Sequence, residues 1–166
     1  MGFLYPKISK NLIGLTLDFG CGIGDFLRYR TNTVGVDINP LLVRDLVEQD
    51  IECSLINKNK IPFENDYFES ILLDNVLEHL ERPDAILSEI TRVLKDNGRL
   101  VVGVPGQKGF LSDDDHKIFY DGPSLDNLFG KKGFKKINSF NTPFKLKLLE
   151  KYSKRYCLYV VYVKTT

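Results

Sequence analysis

Three glycines at alternate positions and one downstream acid form the stretch of this chain best suited to ligand binding. Residues 16–24 read Thr-Leu-Asp-Phe-Gly-Cys-Gly-Ile-Gly, and Asp37 closes the next apolar run. Gly20, Gly22 and Gly24 allow tight turns and leave no Cβ between the backbone and a ligand. A carboxylate at the end of the second strand can accept hydrogen bonds from ribose hydroxyls. This order of strand, glycine loop, helix, strand and acid predicts a nucleoside-binding half of a doubly wound sheet.

The glycine spacing indicates which kind of nucleoside is bound. A dinucleotide-binding loop reads G-x-G-x-x-G, but here the third glycine comes one position early and Asp25 stands in its place. A carboxylate at that helix N-terminus would oppose a pyrophosphate. Gly24 is followed by Asp-Phe-Leu, so the Gly-Lys-Ser/Thr ending of a P-loop is absent. We therefore expect a nucleoside without phosphates, which disfavours an NAD-dependent oxidoreductase.

Three further blocks follow the glycine loop in a recognisable order. Residues 61–69 read IPFENDYFE, residues 71–80 read ILLDNVLEHL, and residues 87–100 contain EITRVLK followed by Asn-Gly-Arg-Leu. Together with the D-x-G-x-G-x-G loop, these blocks resemble the class I S-adenosylmethionine-dependent methyltransferases of the small-molecule type. The resemblance covers roughly residues 13–104. It implies S-adenosylmethionine as cofactor, S-adenosylhomocysteine as product, and a Rossmann-like methyltransferase fold.

The resemblance also implies which residues hold the cofactor. Asp18 would face the methionine ammonium group, the glycine loop would offer backbone contacts, Asp37 would accept the ribose hydroxyls, and Ile38 would pack on adenine. Asn57 stands where relatives often carry an Asp for the adenine amino group, and one residue of the pair at the end of the fourth strand would contact the methionine portion. The expected cofactor-binding residues are Asp18, Gly20, Cys21, Gly22, Gly24, Asp37, Ile38, Asn57, Lys58, Asp74 and Asn75.

The chain contains two histidines, and both are candidates for catalysis. His79 lies in the VLEHL block near the expected mouth of the site, where it could act as a general base or merely brace the turn before Pro83. His116 follows three aspartates on the loop after the fifth strand, where relatives place substrate contacts. One Glu-His pair is too little to argue a metal site, so no metal ligands are predicted.

Composition limits the remaining alternatives. The 166 residues suit one domain, expected over 1–166. Residues 1–116 carry 12 Lys/Arg and 19 Asp/Glu, whereas residues 117–166 carry 11 and 3. We interpret the basic region as a solvated face, so nucleic acid is not an expected partner. Three widely spaced cysteines, with no membrane span or signal peptide visible, favour the cytoplasm.

The hydrophobic pattern predicts an α/β fold: a doubly wound, mostly parallel seven-stranded sheet with an antiparallel C-terminal hairpin. The short segment before Leu15 implies a reduced N-terminal cap. The substrate site would then be open, or a second copy in a homo-oligomer would complete it. The expected acceptor is a small molecule, a glycan or a lipid-linked intermediate, and the alternative function is a non-catalytic cofactor-binding module. The predicted strands are Leu15–Phe19, Thr33–Asp37, Glu52–Ile56, Ser70–Leu73, Arg99–Val104, Phe134–Phe140 and Arg155–Val163, and the predicted helices are Asp25–Tyr29, Leu41–Gln49, Pro83–Lys95 and Ser124–Lys132.

Overall fold

A computed structural model of the chain describes residues 3–57, 60–143 and 153–165. The described strands form one sheet in the order β3-β2-β1-β4-β5-β7-β6. They are β1 (Thr16–Phe19), β2 (Thr33–Asp37), β3 (Cys53–Leu55), β4 (Phe68–Asp74), β5 (Leu94–Pro105), β6 (Phe134–Thr142) and β7 (Cys157–Lys164). The helices among the described residues are α1 (Leu4–Ser9), α2 (Asp25–Tyr29), α3 (Pro40–Glu48), α4 (Asp84–Val93), α5 (Gln107–Phe110) and α6 (Gly122–Gly130), and a 3-10 turn covers Leu77–His79.

The sheet confirms the predicted architecture. Strands β1 to β5 pair in parallel, and β7 inserts antiparallel between β5 and β6. The strand order reverses at β1 and β4, whose carboxyl ends lie side by side because Phe19 is in register with Leu73. Ligands of open α/β sheets bind at such a switch point. The fold therefore brings the glycine loop after β1 next to the residues that follow β4.

The central strands β1 and β4 are buried on both faces, as parallel strands require. Alternate residues of the central strands point to opposite sides. Ile71 and Leu73 of β4 join the cluster that α4 and α6 cover, whereas Leu72 joins the one that α1 and α2 cover. Helix α3 packs its buried Leu46 into a third cluster with Cys53. This packing fixes the strand ends that carry the site.

Some predicted boundaries were wrong. We expected α4 to run to Lys95, but the helix ends at Val93 and β5 begins at Leu94. The turn that follows has a positive φ of 61° at Asn97. Leu94 pairs with Phe68 before the register shifts, so sheet pairing starts before the turn. Helices α1 and α5 and the 3-10 turn were not predicted, because each is too short to show a period.

Several basic residues of the C-terminal region pair with acids from elsewhere in the chain. Lys132 Nζ lies 2.9 Å from Asp84, and Lys164 Nζ lies 3.1 Å from both Asp66 and Asp96. These contacts support the interpretation of the region as an ordinary charged surface. Within residues 3–57, 60–143 and 153–165, no helix has the length and apolar character that crossing a bilayer requires.

Candidate functional site

The glycine loop leaves β1 through three left-handed residues, with φ of 76° at Gly20, 55° at Gly22 and 77° at Gly24. A Cβ built on Gly24 would lie 2.5 Å from Cδ2 of the buried Leu46. A Cβ on Gly22, by contrast, would meet no atom within 4 Å. Two of the glycines therefore satisfy packing or turn geometry, whereas the backbone of Gly22 borders open space. That space is where a ligand can approach the loop.

Asp37 connects this loop to the end of β2. Its Oδ2 accepts a hydrogen bond from the Gly22 N–H at 2.9 Å, and its Oδ1 accepts one from the Asn39 N–H at 2.8 Å. The side chain is buried, and Asn39 also caps α3 by accepting from the Leu41 N–H. A carboxylate has about four acceptor positions, so Asp37 keeps capacity for two hydroxyl groups. The geometry fits the predicted ribose contact.

Two further carboxylates lie at the carboxyl ends of β1 and β4. Burial, together with smaller contributions from the charges of Asp74, Cys53 and Asp37, raises the pKa of Asp18 to about 8. Burial also raises the pKa of Asp74, against the hydrogen bonds from Tyr159 and Asn75 that lower it. Such an acidic pair is stabilised by a cation placed between or beside the two groups. An ammonium group of methionine type fits this requirement.

Two tyrosines that sequence reasoning missed complete this end of the site. Tyr159 of β7 donates to Asp74 Oδ1 at 2.6 Å, and it fits there because the facing residue on β5 is Gly103, where a Cβ would collide with the ring. Tyr5 of α1 packs on Phe26 at 5.4 Å, and burial with the nearby acids raises its pKa to about 12. Neither tyrosine stands in a motif, so no sequence signal could have found it.

The predicted adenine side is the most exposed part of the site. Ile38 is 77% exposed, which leaves its side chain open for packing by a planar group. Asn57 is exposed and closes a tight turn, since its carbonyl accepts from the Lys60 N–H. Lys58 lies outside the described residues. The Cys21 Sγ lies 3.5 Å from the Cys53 Sγ, and the backbone contact of Cys21 with a cofactor stays a prediction.

The two predicted catalytic histidines come together on the other side of Asp74. Their ring centroids lie 4.7 Å apart, although 37 positions separate them in the chain. His79 is exposed, and the side chain of His116 is 9% exposed. Glu78, a residue that we did not predict for the site, belongs to the same cluster. Burial raises the pKa of its carboxyl to about 7, with smaller contributions from nearby charges.

A separate surface depression lies on the outer side of α5. It has a volume of about 500 Å³ and is lined by Gln107, Lys108, Leu111, Ser112 and Lys154. None of these residues belongs to the glycine loop or to the ends of β1, β2 and β4. The depression is therefore distinct from the candidate cofactor site.

Comparison with known proteins agrees with this geometry. Residues 17–102 match the family model described as a methyltransferase domain. The chain is 35% identical over 151 residues to the uncharacterized protein MJ0638 of Methanocaldococcus jannaschii, covering 87% of this chain and 65% of that one. It is 27% identical over 109 residues to the ubiquinone/menaquinone biosynthesis C-methyltransferase of Desulfotalea psychrophila, covering 60% and 44%.

Solved structures give the same result for the fold. A S-adenosylmethionine-dependent methyltransferase from Archaeoglobus fulgidus superposes with a TM-score of 0.76 at 16% identity, covering 98% of this chain and 94% of that one. Among the curated relatives, this chain spans about two thirds of the length of MJ0638 and less than half of the Desulfotalea C-methyltransferase. The family match, the strand order and the glycine loop lead to one conclusion: the chain belongs to the class I S-adenosylmethionine-dependent methyltransferases.

Proposed function

We propose that this chain binds S-adenosylmethionine at the carboxyl ends of β1, β2 and β4 and transfers its methyl group to a small-molecule or glycan acceptor. The observation that carries the proposal is the open space beside Gly22, bordered by the Asp37 carboxylate. When bound, the cofactor supplies a methyl group already activated by the sulfonium. The protein then has to hold the acceptor atom in line with that carbon.

Different residues of the site bind different parts of the cofactor, according to the charge and polarity of each part. Asp37 accepts the ribose hydroxyls, and the Gly22 backbone allows the sugar to approach. Asp18 and Asp74 receive the ammonium group, which offsets the cost of burying two acids. Ile38 offers an apolar surface to adenine, and Asn57 an acceptor to its amino group. Together these residues would hold the cofactor at the strand ends, next to the 3-10 turn at Leu77–His79.

The acceptor is expected to enter beside that turn. His79 is exposed there and His116 lies behind it, so a hydroxyl or amine acceptor could lose its proton to an imidazole. Helix α1 packs through Tyr5 on Phe26 and Tyr29 of α2, the helix that follows the glycine loop. A second copy of the chain covering the opening remains a further proposal.

A ligand panel tests the cofactor. S-adenosylmethionine and S-adenosylhomocysteine should each raise the melting temperature of the purified protein, whereas NAD should not, because Asp25 opposes its pyrophosphate. Stabilisation by NAD alone would contradict the proposal. His79→Ala and His116→Ala should keep the rise in melting temperature with S-adenosylhomocysteine yet lose turnover. Turnover is measured as formation of S-adenosylhomocysteine from S-adenosylmethionine in the presence of fractionated small molecules as acceptors. Full turnover in both variants would remove the histidines from the reaction.

A further inference from the structure

The carboxylate of Glu78 is buried without a visible reason. Its side chain is 1% exposed, and neither oxygen accepts a hydrogen bond from another described residue. Burying an ionised acid in this way costs on the order of several kcal/mol unless the group is neutralised or paired. A buried polar group without a hydrogen-bond partner calls for a physical reason, and a bound ion is one such reason.

His116, which faces Glu78, does not supply a hydrogen bond to its carboxylate. His116 Nδ1 lies 2.8 Å from the carbonyl oxygen of Phe110, which can only accept, so Nδ1 carries the proton and Nε2 carries a lone pair in the neutral ring. Nε2 lies 3.9 Å from Glu78 Oε1, beyond hydrogen-bonding distance. Two acceptors therefore face each other across a gap, an arrangement that a cation between them would stabilise.

His79 closes the gap on the solvent side. One ligand atom from each of Glu78, His79 and His116 lies within 4.8 Å of the other two. Ligands of a tetrahedral Zn²⁺ ion at about 2.1 Å stand roughly 3.4 Å apart, so movements of about 1 Å would bring all three into contact. Because His79 is exposed, a fourth position stays open to water or substrate.

From this arrangement, we propose that Glu78, His79 and His116 bind one divalent transition-metal ion, with Zn²⁺ preferred. Two imidazoles and one carboxylate with an open position are the ligand set of catalytic zinc sites, whereas Mg²⁺ and Ca²⁺ prefer oxygen ligands throughout. Asp113, whose Oδ2 lies 3.9 Å from His116 Nε2, adds a second negative charge on the same loop. The ion would neutralise the buried carboxylate.

The backbone holds the three ligands in place. The carbonyl oxygen of Glu78 accepts hydrogen bonds from the Lys117 and Ile118 N–H groups at 2.8 and 3.1 Å, which ties the His116 loop to the 3-10 turn. The His116 ring stacks on Phe110 at 5.4 Å. Outer contacts of this kind orient histidine ligands in metal sites. Metal binding at these three residues does not depend on the proposed methyl transfer.

Metal titration of the full chain, free of any histidine tag, tests the site. We expect wild-type protein to bind one equivalent of Zn²⁺ by calorimetry and to give visible d–d bands with Co²⁺. Glu78→Gln and His116→Ala should each weaken Zn²⁺ binding by at least about 100-fold. Loss of a residue that only orients a ligand already weakens metal binding by up to about 100-fold, and these two residues are direct ligands. Glu78→Gln should also keep or raise the melting temperature of the metal-free protein, because it removes a buried charge.

Two control variants separate this site from others that could take Zn²⁺. Cys53→Ser removes one thiol of the Cys21–Cys53 pair, and Asp115→Asn removes an exposed charge from the same loop as His116. Both should keep one equivalent of Zn²⁺. Absence of Zn²⁺ binding by wild type, or stoichiometric binding that survives in Glu78→Gln and His116→Ala, would overturn the proposal. Stabilisation by S-adenosylhomocysteine is measured in a separate experiment. Failure of the proposed cofactor binding can therefore be told apart from failure of the proposed metal site.

Discussion

At the scale of single residues, the site is built from acids that are costly to bury. Asp18 is 4% exposed, and burial together with Asp74, Cys53 and Asp37 raises its pKa from 3.8 to about 8. The folded protein thus holds a proton that the unfolded chain has released. The stability contributed by this group is complete below about pH 4 and is lost as the pH rises to about 8. Cofactor binding would offset the loss by pairing the ionised acid.

The pH dependence of stability follows from this shift. The free energy of unfolding of the ligand-free protein should fall between pH 5.5 and about 8, and Asp18→Asn should make that dependence shallower. Urea denaturation at several pH values measures both, with the exposed Asp45→Asn as control. An unchanged slope in Asp18→Asn would mean that Asp18 is ionised in the folded protein. Asp18→Asn should also weaken the binding of S-adenosylhomocysteine.

At the scale of elements, two glycines of one loop have different roles: Gly22 borders the ligand space, and Gly24 packs against Leu46. Gly22→Ala should lower the free energy of unfolding by about 1–2 kcal/mol, the cost of a Cβ at positive φ, and should abolish the response to S-adenosylhomocysteine. Gly24→Ala should cost about 2–4 kcal/mol, because its Cβ also overlaps Leu46. Denaturation with and without the ligand measures both variants. A Gly22→Ala protein that still responds fully to the ligand would show that the ligand does not approach Gly22.

The loop between β3 and β4 depends on one brace from α4. Arg92 donates to Glu89, to Asn65 and to the carbonyl oxygens of Ile61 and Phe63. Glu89 also accepts a hydrogen bond from the Ile61 N–H, so the Glu89–Arg92 pair braces this loop against α4.

Arg92→Lys tests this brace, because lysine cannot reproduce the planar fork of donors. The variant should lose about 1.5–3 kcal/mol of unfolding free energy, measured by denaturation, and should speed amide exchange in residues 61–67. Arg44→Lys is the matched control, since the Arg44–Glu48 pair is about 70% exposed. Equal effects of the two changes would contradict the brace.

At the scale of the whole molecule, local patterns predicted the first half of the sheet better than the site that it carries. Helix α2 and strand β2 have the predicted bounds, because glycines and one cap mark their ends. The meeting of Glu78 with His116 was missed, since it depends on the path of an irregular loop after β5. The contact between Tyr159 and Asp74 likewise depends on the antiparallel register of β7 against β5. Such contacts follow from tertiary packing, which a single sequence does not display.

The central claim is that Asp37 receives the ribose of a S-adenosylmethionine-type ligand beside Gly22. Calorimetric titration of S-adenosylhomocysteine into wild type, Asp37→Asn and the control Asp45→Asn tests it most directly. We predict 1:1 binding to wild type and the control, and about 10–100-fold weaker binding to Asp37→Asn, the value of one charge-assisted hydrogen bond. No binding to wild type, or equal affinity in Asp37→Asn, would contradict the account.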